Sequence, residues 1–234
     1  MIEFGHGTHV GMCRLRNEDS YYADAALGLF LVADGMGGYR RGDAAAAELR
    51  DGLVAAVRDG AGLFRAVREV AQRLDAQRAC RGDASPMGST LAALQLRDGH
   101  YEIAWVGDSR AYLLVDGRLR QVAHDRVLAQ KLVESGQWPS LGAAGTPPRN
   151  LATQALGVTP VDQLRVGVAN GTVRSGLRFL LCTDGLTEKL SESTLDKLFD
   201  RPELAMQECV DHLLLAALGA GGRDDVTAIA VRMH

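Results

Sequence analysis

The sequence predicts a layered sandwich of α and β structure, and three observations carry that prediction. Short apolar runs separated by tight polar turns fill the middle of the chain, and Asp98-Gly99 and Asp116-Gly117 have the composition of two-residue hairpin turns, so the strands are antiparallel. Segments with apolar residues at helical spacing arrive in pairs between the groups of strands. No internal repeat or low-complexity linker interrupts the 234 residues, which favours one continuous domain over 1–234. Sheets covered by pairs of helices suit this order.

The elements follow in turn. Residues 6–13 read as an opening strand, 14–19 as a polar turn and 21–24 as a short strand. Leu29-Phe30-Leu31-Val32 is a buried strand. Residues 44–57 form an alanine-rich helix with Leu49, Leu53, Ala56 and Val57 at helical spacing and Asp43 as its N-cap. A second helix covers 63–74, with Phe64, Val67, Val70, Ala71 and Leu74 on one face. Strands then span 89–96, 100–106, 111–115 and 118–122. A short helix over 127–134 leads into an irregular stretch with Trp138-Pro139, Gly142, Gly145 and Pro147-Pro148, long enough for a functional flap at about 125–150. Residues 164–169 alternate as a strand does, 179–183 are an apolar run, 195–199 and 204–218 are helical, and the last strand is 226–231.

Composition bounds the function. Hydrophobic residues make up 47% and charged residues 24%, ordinary values for a globular protein. A formal net charge of -3 supplies no basic field for nucleic acid or anionic lipid. The opening Met1-Ile2-Glu3-Phe4 lacks the pattern of a secretory signal, and the most apolar stretch, Leu213-Leu214-Leu215-Ala216-Ala217-Leu218, is too short to cross a bilayer. Cys13, Cys80, Cys182 and Cys209 are scattered, with Cys182 inside a strand, which fits reduced thiols and a cytoplasmic setting.

The distribution of acids is less ordinary. The strand at 29–32 runs through Ala33 to Asp34-Gly35-Met36-Gly37-Gly38, the run at 179–183 stops at Asp184-Gly185, and Ile103-Ala104-Trp105-Val106 stops at Gly107-Asp108-Ser109. Asp224-Asp225 instead opens a strand. In antiparallel neighbours the end of one strand lies beside the start of the next, so these acids can share one edge of the fold. With Glu18 and Asp19 they make a set of like charges that converges only if it takes up protons or metal. Oxygen donors suit hard cations, Mg²⁺ or Mn²⁺. His6 and His9, three apart on a strand, face opposite sides and offer no competing metal site. Two such cations roughly 3.5–4 Å apart activate a water for attack on a phosphoryl group. Arg14, just before Asn17-Glu18-Asp19, is the candidate to hold that group. Taken singly, each acid reads equally well as a turn or strand-edge residue, and Arg14 as a solvated charge or a partner of Asp19.

The joint pattern resembles the PPM (PP2C) family of metal-dependent protein serine/threonine phosphatases, in particular its bacterial stand-alone members. The matching stretches are Arg14-Leu15-Arg16-Asn17-Glu18-Asp19, Ala33-Asp34-Gly35-Met36-Gly37-Gly38, Gly88-Ser89-Thr90, Gly107-Asp108-Ser109-Arg110, Thr183-Asp184-Gly185 and Gly222-Arg223-Asp224-Asp225-Val226-Thr227, in family order along the whole chain. The resemblance implies a four-layer α-β-β-α sandwich. It implies that Asp34 bridges two metals with the Gly35 carbonyl on one of them, that the Asp184 and Asp224 carboxylates complete the shell of the first, and that Glu18 serves the second through water. Asp19 would sit beside the nucleophilic water, Arg14 would bind the phosphate, and Asp108 with Asp184 would form a third-metal site. Phosphorylated proteins and a serine/threonine kinase are the implied partners, with the chain acting as a monomer. The competing reading is a pseudophosphatase-like module that binds phosphoproteins or senses a signal, and it expects a missing ligand.

The chain departs from common family residues at three places. Met36 stands where animal members carry a histidine, and bacterial members commonly have Met there. Asp225 stands where Asn is usual and reads here as a cap on the final strand. Asp125-Arg126-Val127 replaces Asp-His-Ser near the flap, a change that bears on substrate preference, whereas Pro148-Arg149-Asn150 fits the usual flap exit.

Overall fold

A computed structural model of the chain describes residues 1–36, 42–81, 87–122 and 154–234. The expected flap, its helix over 127–134 and the residues Asp125-Arg126-Val127 and Pro148-Arg149-Asn150 lie outside the described residues.

Two antiparallel sheets pack face to face. One has the order β1-β11-β10-β7-β8, built from β1 Ile2–His9, β7 Arg110–Val115, β8 Arg118–Gln121, β10 Arg178–Cys182 and β11 Val226–Met233. The other has the order β2-β3-β5-β6-β9, built from β2 Asp19–Asp24, β3 Leu29–Met36, β5 Leu91–Arg97, β6 His100–Val106 and β9 Gly167–Thr172, and β4 Gly88–Ser89 adds beside the end of β3. Helices α1 Gly42–Arg58 and α2 Leu63–Arg81 cover this second sheet, and α4 Glu192–Phe199 and α5 Met206–Gly219 cover the first. A single turn, α3 Asp184–Thr187, follows β10. The described residues thus form the expected α-β-β-α sandwich.

The continuous apolar runs are explained by burial on both faces. Along β3, Leu29, Leu31 and Ala33 pack against α1 and α2, whereas Phe30 and Val32 point between the sheets. β10 repeats the pattern: Leu180 and Cys182 face the outer helices, and Phe179 and Leu181 face the other sheet. Cys182 is a packed thiol that burial pushes up to about 12. The hairpin turns are as the sequence predicts: Asp98 and Gly99 have φ of 50° and 75°, and Asp116 and Gly117 have 51° and 68°.

Several boundaries differ. β1 ends at His9 rather than near 13, because Gly11 adopts φ +70° and turns the chain. Gly42 precedes Asp43 inside α1, so Asp43 is a first-turn acid rather than the N-cap; one of its oxygens accepts from the Ala44 N–H and the other pairs with Arg16 at 3.3 Å. The buried face of α2 begins one residue earlier than expected, at Leu63, and runs through Ala66, Val67, Val70, Ala71 and Leu74, which leaves Phe64 outside it. β9 begins at Gly167, since Leu164 is held in a preceding turn by a bond from its N–H to Pro160 O at 2.9 Å.

The chain ends meet at one end of the first sheet. β1 and β11 pair from Ile2 and Met233 to His9 and Val226, the Met1 amino group donates to His234 O at 3.2 Å, and the His234 N–H donates to Met1 O at 2.9 Å.

Candidate active site

The acids gather at the opposite end of the sandwich, where strands of both sheets stop. Asp34 continues the face on which Phe30 and Val32 point between the sheets, so strand alternation alone aims it into the interior. Asp19 is its register partner across β2 and β3. Asp184 opens α3 after β10, Asp224 immediately precedes β11, and Asp108 lies in the β6–β7 turn.

The backbone of Asp34 is fixed by the motif at 88–90. Its carbonyl accepts from the Thr90 N–H and the Ser89 hydroxyl, each at 2.9 Å, and its N–H donates to Thr90 Oγ1 at 3.2 Å. Thr90 Oγ1 in turn lies 2.6 Å from Ser109 Oγ, which ties the β6–β7 turn to the same point. Gly35 can only be glycine: a Cβ there would stand 2.1 Å from Gly42 O and 2.6 Å from Glu18 O. Glu18 is part of that crowding: its carbonyl accepts from the Gly35 N–H at 3.2 Å, and its carboxylate lies against Gly42.

Asp19 is held by hydroxyl groups that carry no assigned role in the sequence reading. Its Oδ2 accepts from Thr183 Oγ1 at 2.8 Å and from Thr227 Oγ1 at 2.5 Å. Thr8 Oγ1 lies 2.7 Å from Thr227 Oγ1 and accepts from Asn17 Nδ2 at 2.8 Å. Asn17 Oδ1 closes the circuit by accepting the Asp19 N–H at 2.9 Å. This chain of donors laces one sheet to the other beside the acids. Asp225 is a second addition. It is buried, and its Oδ2 accepts the Glu18 N–H at 2.7 Å, so it fastens the Glu18 segment rather than capping β11.

Arg14 reaches the same place from the loop after β1. Its Nη2 lies 2.8 Å from Asp224 Oδ1 and 2.9 Å from Oδ2, which identifies Asp224 and not Asp19 as its partner.

The electrostatics follow from this crowding. Burial, then repulsion from Asp19, Asp184, Asp108 and Asp224, pushes Asp34 up to about 10. Burial, opposed by the two threonine hydroxyls and reinforced by Asp225 and Asp184, places Asp19 at about 7. Burial, then Asp108, Glu188 and Asp224, places Asp184 at about 7 as well, with a hydrogen bond from Asp34 acting in the opposite direction. Asp19, Asp184 and Asp225 each retain a buried Oδ1 with no protein partner. Among the described residues no three His, Cys, Asp or Glu side chains already stand in the positions of a closed ligand cage. Oxygen donors, orphaned buried oxygens and carboxyls driven towards protonation together fit a hard divalent cation. The structure therefore brings together Asp19, Asp34, Asp108, Asp184 and Asp224, with Glu18, Gly35 and Arg14 alongside.

Comparison with known proteins gives a consistent result. A family model described as Protein phosphatase 2C matches residues 11–218. The chain is similar to the serine/threonine protein phosphatase PstP of Mycobacterium tuberculosis, with 36% identity over 228 residues, 94% of this chain and 42% of PstP. It therefore spans less than half the length of that relative. It is also similar to the serine/threonine phosphatase stp of Listeria monocytogenes, with 30% identity over 213 residues, 87% of this chain and 83% of that one. Among solved structures, M. tuberculosis PstP/Ppp superposes with a TM-score of 0.85 at 32% identity, covering 100% of this chain and 99% of the other. The catalytic domain of PstP in complex with two manganese ions gives 0.82 at 31%, covering 99% and 97%. PppA, described as a key regulatory component of T6SS in Pseudomonas aeruginosa, gives 0.82 at 31%, covering 100% and 98%.

Proposed function

This chain belongs to the protein phosphatase 2C family, and from that premise we propose that it hydrolyses phosphoserine and phosphothreonine on proteins and so opposes a bacterial serine/threonine kinase. The single observation that carries the reading is a buried Asp34 ringed electrostatically by Asp19, Asp184, Asp108 and Asp224, with Arg14 at the rim. Two divalent cations, Mn²⁺ or Mg²⁺, are proposed to be held by Asp34, the Gly35 carbonyl, Asp184, Asp224 and Glu18, with a further ion at Asp108 and Asp184. When bound, they supply Lewis acidity, which lowers the pKa of water and neutralises phosphoryl charge.

The remaining work falls to the chain. Arg14 Nη2, now on Asp224, turns to the phosphoryl oxygens and orients them, and its charge offsets the negative charge that spreads over them in the transition state. Asp19 is gripped at Oδ2 by Thr183 and Thr227, so its free Oδ1 is the atom that takes a hydrogen bond from the attacking water. Met36 ends in a thioether and carries no proton to give, so the departing serine or threonine oxygen is not protonated from that position. Attack is direct, with no phosphorylated enzyme.

The working unit is proposed as one domain over 1–234 with a flap at about 125–150, acting as a monomer in the cytoplasm. No helix among the described residues is long and apolar enough to cross a membrane. Phosphopeptide hydrolysis with Mn²⁺, compared with Asp34→Asn and Asp224→Asn, tests the activity. Turnover that survives both changes or ignores a chelator removes the mechanism, and calorimetry that shows no cation uptake, with no turnover, favours a phosphoprotein-binding module instead.

A further inference from the structure

The loop that carries Arg14 also displays two large apolar side chains. Met12 is 68% exposed and Leu15 is fully exposed, one on each side of Arg14. Scattered exposed apolar residues are ordinary; two within four positions, bracketing the cation assigned to the phosphate, are not.

The exposure is not the result of a loose loop. Met12 N–H donates to Gly222 O at 2.8 Å, and Gly11 lies so close to the backbone before β11 that a Cβ would stand 2.2 Å from Asp224 O. Arg14 is tied to Asp224, Arg16 to Asp43, Asn17 to Thr8 and the Glu18 N–H to Asp225. The backbone is held at both ends, side-chain ion pairs tie the loop between them, and the large apolar side chains it presents outward, beside Cys13, Arg14 and Arg16, are Met12 and Leu15.

We infer that Met12 and Leu15 form an apolar rim that receives a hydrophobic side chain adjacent in sequence to the phosphorylated residue of the substrate protein. This rests on the phosphatase reading and narrows it to a substrate class. A substrate segment whose phosphoryl group reaches Arg14 must pass over this loop. Its residues one or two positions away lie about 3.5–7 Å along an extended chain, within reach of side chains one and two positions from Arg14. Leu, Ile, Val or Met at that position covers the rim, with Met12 adapting its shape to each. A small polar residue such as Ser buries no comparable apolar area on the rim and gains nothing from it.

The test uses the full chain loaded with Mn²⁺ and a set of phosphothreonine peptides that differ only in the residues flanking the phosphothreonine, with p-nitrophenyl phosphate as a substrate that has no flanks. Leucine flanks should raise kcat/KM over serine flanks by about tenfold, through KM, the effect of partly burying one leucine side chain. Met12→Ser/Leu15→Ser should bring that ratio close to one, whereas Leu215→Ser, an exposed apolar residue on α5, should keep it. Equal use of leucine and serine peptides by the unaltered chain, with p-nitrophenyl phosphate still hydrolysed, overturns the inference alone. So does a preference that persists in the double variant. Failure to hydrolyse either substrate overturns the phosphatase reading and the inference with it.

Discussion

Arg14 Nη2 sits within 2.9 Å of both carboxylate oxygens of Asp224. The cation assigned to the phosphate and an anion assigned to a metal therefore hold each other, and a divalent ion arriving at Asp224 competes with Arg14. Arg14 is half exposed, so the pair is worth under about 1 kcal/mol, or no more than about fivefold in an affinity.

Arg14→Ala should accordingly tighten Mn²⁺ binding by about twofold to fivefold in calorimetry while lowering kcat/KM for phosphopeptides by about 10²–10³. Weaker metal binding in the variant would mean that Arg14 supports the acids rather than competing with the ion.

The acids should make the metal-free fold sensitive to alkali. Asp34, Asp19 and Asp184 bind their protons more tightly in the folded chain than the reference value of 3.8. Their contribution to stability is fully present below that value and is lost as pH rises through about 7 for Asp19 and Asp184 and about 10 for Asp34. Thermal melts of chelated protein should fall between about pH 5 and about pH 8.5, and Asp34→Asn, which cannot ionise, should raise the metal-free melting temperature at the upper pH. A melting temperature that climbs over this range would contradict the assignment of strained carboxyls.

Removing one hydroxyl from the Asp19 circuit should be costly for its size. Thr227→Val keeps the shape but leaves Asp19 Oδ2 and Thr8 Oγ1 each short of a partner. The expected loss is about 2 kcal/mol in urea denaturation, the scale of a hydrogen bond to a charged group. A loss of only a few tenths would show that the hydroxyls do not act as a connected chain.

Gly11→Ala should move Arg14. A β-carbon meets Asp224 O at 2.2 Å, in addition to the penalty of φ +70°. Gly176, at φ +86° with open space around it, serves as the comparison for the backbone penalty alone. Gly11→Ala should cost about 1–3 kcal/mol more than Gly176→Ala and should raise KM for phosphopeptides; equal costs would place the loop further from Asp224.

What the sequence made legible were features with a period or a spacing. Leu29-Phe30-Leu31-Val32 is apolar throughout because it is covered on both faces, and the acid that follows inherits an inward direction from the alternation of Phe30 and Val32. The paired Asp-Gly turns were legible because their φ values demand those residues. The threonines were not. Thr8 and Thr227 sit in strands, where threonine is common, and their meeting depends on the pairing register of β1 and β11. The role of Asp225 was hidden for the same reason, since the Glu18 N–H it accepts is 207 positions away. Phe64 shows the limit of helical spacing: a shift of one residue at the start of α2 exchanges it for Leu63.

The joining of Met1 to His234 has a practical consequence. β1 carries the chain about 25 Å from that junction to the catalytic end, so a tag or tether attached at either terminus departs on the far side and leaves the mouth clear. Bridging Met1 and His234 with a short glycine linker would leave the β1–β11 ladder intact, and this chain could then be reopened at the Asp116-Gly117 hairpin as a circular permutant.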